Sequence, residues 1–372
     1  MNKCFIVFLT LWLTDEVYGQ QPDPSNLTYS VFLIGDAGEY KSARDNVLKL
    51  ATKQLKIAGE KSTVVFLGDN IYQKGLPQED DPDRKYMEGK LTPQLDVIKN
   101  SPGDGYIIPG NHDWYKSKEK GLAAIKEQGK FTTNYTENGE VFLPKDGCPG
   151  PIEVQLAENI ILVMIDSQWP LHKYNKPGIG SNCRYQTVEE MQQGIDDIIN
   201  VNLTKKLIVA AHHPIYTYGN HAGIFSLKTH IFPLTDPFGA LFIPLPVVGS
   251  IYPLYRKVIG SDQDITGKQN RVVMNPIRES LESHPAAIHV SGHEHALQHI
   301  VSNNVNYIVS GSGSKTEYVR KKKLAKYAKS KNGFSRINFY SNGEAWVEFW
   351  VVSKEKPSGN LDYKALLFQS QN

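Results

Sequence analysis

The chain has 372 residues, 40% hydrophobic and 22% charged, with a formal charge of +2, the composition of a globular protein with material for one large core or two modest ones. That near-neutral balance is not one for wrapping nucleic acid, and no such partner is expected. The single dense basic run, Arg320 to Lys323 with Lys326 and Lys329 beyond it, reads either as a solvated face or as a patch that attracts anionic substrates.

Lys3, the apolar run Phe5 to Leu13 and Val17-Tyr18-Gly19 fit a secretory signal over residues 1–19. The run is shorter than the roughly 20 apolar residues that span a bilayer, so no transmembrane segment is expected, an uncleaved anchor being the lesser alternative. The mature protein would be secreted, or periplasmic or lysosomal depending on its source. It would keep Cys148 and Cys183, which in an oxidising compartment most simply pair. Asn26-Leu-Thr, Asn134-Tyr-Thr and Asn202-Leu-Thr are glycosylation acceptors in a eukaryotic host.

A strand from Thr28 to Ile34 leads into Gly35-Asp36-Ala37-Gly38, and a helix carrying Val47, Leu48, Leu50, Ala51, Leu55 and Ile57 follows until Gly59 stops it. The next strand, from Thr63, ends in Gly68-Asp69-Asn70-Ile71-Tyr72. A strand, helix, strand unit of this kind places the two strands parallel, with both carboxylates at one edge. Residues 73–90 read as a charged loop and Leu91 to Lys99 as a helix. Tyr106 to Pro109 is a third strand, ending in Gly110-Asn111-His112-Asp113.

Ile152 to Leu156 and Ile160 to Ile165 form a hairpin ending at Asp166, and residues 168–185 an irregular loop. A helix starts at Thr187, whose capping box Glu190 completes, and runs through Met191, Ile195, Ile198 and Ile199. The strand Lys206 to Ala211 delivers His212-His213-Pro214, with His221 nine residues beyond His212. From 221 to 269 an apolar stretch broken by Pro233, Pro237, Pro244, Pro246 and Pro253 reads as neither helix nor regular strand. A loop of that length is either a flap packed on a sheet edge or a substrate wall or partner surface. A helix near Val272 to Ser283 and the strand Ala287 to Val290 lead to Gly292-His293-Glu294-His295; Tyr307 to Ser310 and Gly311-Ser312-Gly313-Ser314 follow. The hairpin Phe334 to Tyr340 and Ala345 to Val352 turns at Ser341-Asn342-Gly343. With no linker or repeat, residues 20–372 are expected to form a single domain.

Strand ends thus present Asp36; Asp69 with Tyr72; Asn111 with His112; His212; and His293 with His295, and six of the eleven histidines fall at such ends or just beyond. That is a metal site by its donors. Carboxylate, amide and imidazole suit hard or borderline cations, and the lack of cysteine ligands argues against a structural zinc cluster. Asp36, Asp69, Tyr72, Asn111, His212, His293 and His295 are too many for one tetrahedral ion. Two ions sharing a carboxylate fit better, an arrangement suited to in-line displacement at phosphorus.

In order, these blocks resemble the signature of the purple acid phosphatases, within the calcineurin-like metallophosphoesterases, over roughly residues 28–352. The resemblance implies an α/β fold, a four-layer α/β/β/α sandwich, which strands buried on both faces also favour. It implies Fe(III) at Asp36, Asp69, Tyr72 and His295, and Fe(II), Zn or Mn at Asp69, Asn111, His212 and His293, with Asp69 bridging and His212 rather than His213 as ligand. His112 would protonate or hydrogen-bond the leaving oxygen. Asp113 would orient that ring or simply cap a helix, and His221 would position substrate or protonate the leaving group. The activity implied is acid hydrolysis of a phosphomonoester, small molecule or phosphoprotein, by a metal-bound hydroxide; the alternative is a phosphodiesterase or nucleotidase using divalent metals only. The 221–269 insert is longer than in the small animal enzymes and is similar to that of secreted bacterial metallophosphoesterases. Trp114 stands where the animal enzymes have another histidine. The 168–185 loop occupies the place of a loop that covers the site, with Cys148 and Cys183 tethering its flanks.

Overall fold

Alternate residues along the strands enter two different cores, and this separation sets the layers. The computed structural model describes residues 22–137, 139–234 and 242–369; the predicted signal over 1–19 and Pro237 lie outside them. In β1 (Leu27–Ile34), Tyr29, Val31 and Leu33 join a central apolar cluster while Phe32 and Ile34 face the other way. β2 (Ser62–Phe66) divides likewise, Val65 facing the centre and Val64 and Phe66 the outside. The outward set packs with residues of α1 (Ser42–Ala58), α2 (Arg84–Lys99) and α3 (Gly121–Thr136).

A second sheet repeats the division. Ile160, Leu162 and Met164 of β5 (Ile160–Met164) and Ile208 and Ala210 of β6 (Lys206–Ala211) complete the central cluster. Ile161, Val163, Leu207 and Val209 instead pack with Met191 and Ile195 of α4 (Val188–Val201) and with Met274 and Ile277 of a helix spanning Lys268–Glu282. Helix, sheet, sheet and helix follow one another: this is the expected α/β/β/α sandwich.

The remaining strands are β3 (Asp104–Ile107), β4 (Ile152–Ala157), β7 (Ala287–Ser291), β8 (Leu297–Ser302), β9 (Val305–Ser310), β10 (Ala325–Lys329), β11 (Gly333–Tyr340), β12 (Ala345–Val351) and β13 (Asn360–Phe368). The first sheet runs β13-β12-β11-β1-β2-β3 and the second β10-β8-β9-β7-β6-β5-β4. Within them β1, β2 and β3 are parallel, with Ile34 opposite Phe66 and Phe66 opposite Ile107. β5, β6 and β7 are also parallel, and Ala211 lies opposite Ser291. The carboxyl ends within each parallel set are therefore level, and the loops leaving them meet where the two sheets adjoin.

Several expectations are corrected. The charged loop 73–90 ends early, because α2 begins at Arg84, whose side chain bonds Glu88 one turn on and Glu127 on α3. Among the described residues, the 221–269 insert carries the α-helices α5 (Leu227–Ile231) and α6 (Val248–Val258), the second with Pro253 inside it; the helix spanning Lys268–Glu282 is named α7. Lys326 and Lys329 belong to β10, an edge strand that buries Ala325 and Tyr327 and carries both lysines toward water, in keeping with the solvated reading. β13 lies beyond residue 352 and pairs with β12. Cys148 and Cys183 are disulfide-bonded as expected, with Cα atoms 5.5 Å apart. Among the described residues, no helix is long and apolar enough to cross a membrane.

Candidate metal centre

The blocks after the parallel strands are glycine-rich because their backbones touch. A Cβ on Gly110 would lie 2.4 Å from the Asp69 amide nitrogen and Oδ1, and one on Gly292 would lie 2.7 Å from Asp36 Oδ2. The turns are tight enough that Asp36, Asp69 and His293 take φ of 59°, 54° and 66°, a left-handed conformation costing about 1–3 kcal/mol for a residue with a side chain. The site holds them there: the Asp36 amide donates to Gly68 O, and the His293 amide donates to Asp36 Oδ2 at 2.8 Å.

The seven predicted donors come together in two groups. In the first, Tyr72 Oη donates to Asp36 Oδ1 at 2.8 Å and lies 2.9 Å from His295 Nε2. In the second, Asn111 Oδ1 is 3.0 Å from His212 Nε2 and 3.1 Å from His293 Nδ1, and those two nitrogens are 3.2 Å apart. Asp69 serves both groups, its Oδ1 3.4 Å from His212 Nε2 and its charge acting on Tyr72. Ligand atoms of Asp36, Asp69 and His212, all buried, lie within 4.8 Å of one another.

The donor set fits cations. Burial, and after it the Asp36 and Asp69 carboxylates, push the Tyr72 phenol well above its ordinary range, so a phenolate here requires a positive charge in contact with it. Burial alone would raise Asp69, but His212, His112 and the His112 amide outweigh it and hold the carboxyl at about 2.

Each imidazole also has its outer nitrogen bound, which fixes the ring and leaves the inner nitrogen facing the cluster. His212 Nδ1 is 2.8 Å from Leu67 O, His293 Nε2 is 2.8 Å from Gln263 O, and His295 Nδ1 is 2.9 Å from Glu317 Oε1. His213 differs in kind. Its Nδ1 meets Ser167 Oγ and its Nε2 meets Gln263 Oε1, both at 2.8 Å, so neither nitrogen is free for a ligand role.

His112 and His221 flank the cluster, each with one ring nitrogen engaged. His112 Nδ1 is 2.8 Å from Gln73 O, its Nε2 lies 3.8 Å from Asp69 Oδ2, and the ring stands edge-on to Tyr72. His221 lies against His293 with ring centroids 3.9 Å apart and the planes tilted by 39°, and its Nδ1 bonds Asp264.

Asp113 does not orient His112. Its buried carboxylate points the opposite way, accepting the amides of Gly110 at 2.7 Å, Asn70 at 3.1 Å and Ile71 at 3.2 Å, and Asn70 Nδ2 at 3.0 Å. It locks the second and third blocks together, and the Gln73 carbonyl supplies the partner assigned to it. Trp114 likewise turns inward: it is buried, and its indole donates to Asp166 Oδ2 at 2.7 Å.

Other residues at the site were not anticipated. Glu294, between two candidate ligands, points away from them and accepts the amides of Asn220 and His221 and the Thr217 hydroxyl. Alternation along His293-Glu294-His295 is the signal that could have found it. Lys315 Nζ sits 3.2 Å from the centre of the Tyr72 ring and 3.6 Å from Glu39 Oε2. Gln263 brings the insert to the centre, and its Nε2 also donates to Gln168 Oε1 of the 168–185 loop. Nothing local in the sequence marks Lys315 or Gln263.

The chain is also similar to known proteins. Purple acid phosphatase 3 of Arabidopsis thaliana is 22% identical over 89% of this chain and 77% of its own length. Purple acid phosphatase 17 of the same plant is 21% identical over 90% of this chain and 87% of its own. Among solved structures, GAP50 of Plasmodium, described as the anchor in the inner membrane complex, shares the fold with a TM-score of 0.55 at 14% identity, covering 93% of this chain and 90% of that one. The calcineurin-like phosphoesterase pattern matches residues 29–297, the stretch that carries β1 to β7 and all seven candidate donors, and the chain belongs to that family of phosphoesterases.

Proposed function

We propose that this phosphoesterase is a secreted acid phosphatase acting on phosphomonoesters, with Fe(III) held by Asp36, Asp69, Tyr72 and His295 and a divalent ion, Fe(II), Zn or Mn, held by Asp69, Asn111, His212 and His293. The observation that carries this reading is Tyr72: its hydroxyl lies within hydrogen-bond distance of both Asp36 and His295, where a phenolate would complete a hard, anionic site suited to a trivalent ion. The likeness to the plant purple acid phosphatases supports the substrate class, and the disulfide supports an oxidising compartment.

When bound, a pair of ions at these positions supplies an activated water at low pH and neutralises phosphoryl charge. The protein's own groups do the rest. Leu67 O, Gln263 O and Glu317 fix three rings so that their lone pairs converge. The turns at Asp36, Asp69 and His293 are set before any substrate arrives, which removes reorganisation from the reaction. His112 offers an open Nε2 beside Asp69, and Lys315 adds a positive charge at the Tyr72 wall, favouring a dianionic ester.

Turnover of mono- and bis-nitrophenyl phosphate tests the substrate class: the monoester should be hydrolysed much faster, and a preference for the diester would transfer the assignment to a phosphodiesterase or nucleotidase. An absorbance scan tests the metal. A visible charge-transfer band lost in Tyr72→Phe is expected, and an active, colourless enzyme containing only divalent metal would overturn the iron assignment.

A further inference from the structure

The insert carries a carboxylate that serves none of the candidate metal ligands directly. Asp264 lies four residues past Gly260, its side chain fully buried. Its Oδ1 meets His221 Nδ1 at 3.0 Å and accepts from Arg256 Nη2; its Oδ2 accepts from Arg256 Nε at 2.5 Å, Ser261 N at 2.8 Å and Ser261 Oγ at 3.0 Å. Apart from the His221 ring, every partner is a donor. A carboxylate so surrounded is held ionised, and it can meet His221 only where Nδ1 carries a proton. The 3.2 Å approach of Arg256 Nη2 to that nitrogen is then two donors sharing one acceptor oxygen.

The backbone is fixed as firmly as the ring. The His221 amide donates to Glu294 Oε2 at 3.0 Å, and the His221 carbonyl accepts from Ile265 N at 3.0 Å. The ring lies against His293, so it borders the reacting space, and with Nδ1 committed to Asp264 its one uncommitted nitrogen is Nε2. An imidazole pinned at one nitrogen by a buried carboxylate and open at the other is the arrangement by which a protein aims a proton. His112, on the other flank, has only a neutral carbonyl at its Nδ1.

We propose that Asp264, clamped by Arg256, is a positioning residue: by accepting from Nδ1–H it orients the His221 ring so that Nε2–H of the imidazolium form passes its proton to the oxygen of the leaving alcohol. The role rests on the phosphomonoesterase reading above. In the step, water oxygen bonds to phosphorus as the ester P–O bond breaks, the bond's electron pair goes to the departing oxygen, and Nε2 gives that oxygen a proton. His221 is reprotonated by the equivalent released from the water, so ester and water become alcohol and hydrogen phosphate. The insert is thereby a working part of the site, and the leaving group is the substrate portion it meets.

The test compares leaving groups in the full, metal-loaded enzyme. Nitrophenyl phosphate leaves as a stable anion and needs little protonation, whereas phenyl and glycerol phosphates need it. Asp264→Asn is expected to lower kcat roughly 10- to 100-fold on the poor leaving groups and less than about 3-fold on nitrophenyl phosphate, with KM and metal content unchanged. His221→Asn should show the same ordering, and the double variant should be no slower than His221→Asn alone, because the two act as one unit. Equal losses on all substrates, or losses that multiply in the double variant, would overturn the role. Should Asp264→Asn unfold, Arg256→Lys, which keeps the carboxylate and removes its fork, decides on the same ordering: a selective loss supports the role, and a uniform loss or none overturns it. A wild-type enzyme active on monoesters whose variants lack the ordering defeats this proposal alone; a wild type inactive on every monoester defeats the acid phosphatase reading with it.

Discussion

The strand-end cluster and the 221–269 insert reach the same point in the molecule by different means. At the strand ends, donors are fixed by sheet register: Asp36, Asp69, Asn111, His212 and His293 follow parallel strands, and their glycine neighbours let the turns pack backbone against backbone. The insert has no such scaffold. Ile251, Leu254 and Ile259 along and just past α6 are 62%, 60% and 60% exposed, and the segment meets the centre through Gln263 and Asp264 near its far end. The difference teaches that placement and adjustment are separable. The sheets decide where the candidate ligands stand, and the insert adds contacts that hold the His293 and His221 rings.

Substitutions at the strand ends should therefore do the most damage, and Asp69→Asn the most of all. An amide cannot bridge two cations as a carboxylate does, so kcat should fall on the order of 10³-fold or more and metal analysis should find the centre depleted. Retained turnover with full metal content would show that the two groups of donors work independently. Gly292→Ala comes next. Its Cβ would enter the space of Asp36 Oδ2 at 2.7 Å and Leu67 O at 2.9 Å, and denaturant unfolding should register a loss of about 1–3 kcal/mol together with weaker metal retention. If stability is unchanged, the close approach of the two sheets is not what sets the site.

Glu317→Gln probes the layer behind the ligands. Glu317 reaches His295 Nδ1 at 2.9 Å and also accepts from Asn220 Nδ2 at 2.8 Å, so the amide keeps one acceptor and loses the charge that orients the ring. Metal affinity should fall roughly 10- to 100-fold, measured by competition with a chelator, while the fold is kept. An unchanged affinity would place the orienting role elsewhere.

What the sequence made legible follows this same division. A β-branched run that ends in glycine and then a ligand-type residue is a local signal, and it recurred often enough to pick out the candidate donors that the structure brings together; the sandwich followed from the family resemblance and from strands buried on both faces. Choosing His212 over His213 rested on resemblance; the structure adds a physical reason, since both nitrogens of His213 are engaged by Ser167 and Gln263. Neither partner is near it in sequence. α3 went unread because part of its buried face is polar, Gln128, Thr132 and Thr136 standing where apolar residues would have shown the period. α6 was hidden by Pro253, and β10 by lysines that suggested only a charged surface. Asp113 was misplaced for another reason: adjacent residues in a tight turn face opposite sides, and nothing in Asn111-His112-Asp113 says which side holds the four donors that capture the carboxylate.

The smallest effect should come from the outer face of the insert, and it is the sharpest test of the comparison. Leu254→Ser replaces a side chain that is already 60% in water, so little transfer free energy is lost and the difference in helix propensity is itself no more than a few tenths of a kcal/mol. Unfolding free energy should move by no more than about 0.5 kcal/mol, with metal content and turnover unaltered. A loss well above 1 kcal/mol, or a change in sedimentation behaviour, would mean that the apolar face of α6 is itself a packed surface. The grip on His293 and His221 would then depend on what lies against that face, and placement and adjustment would no longer be separable.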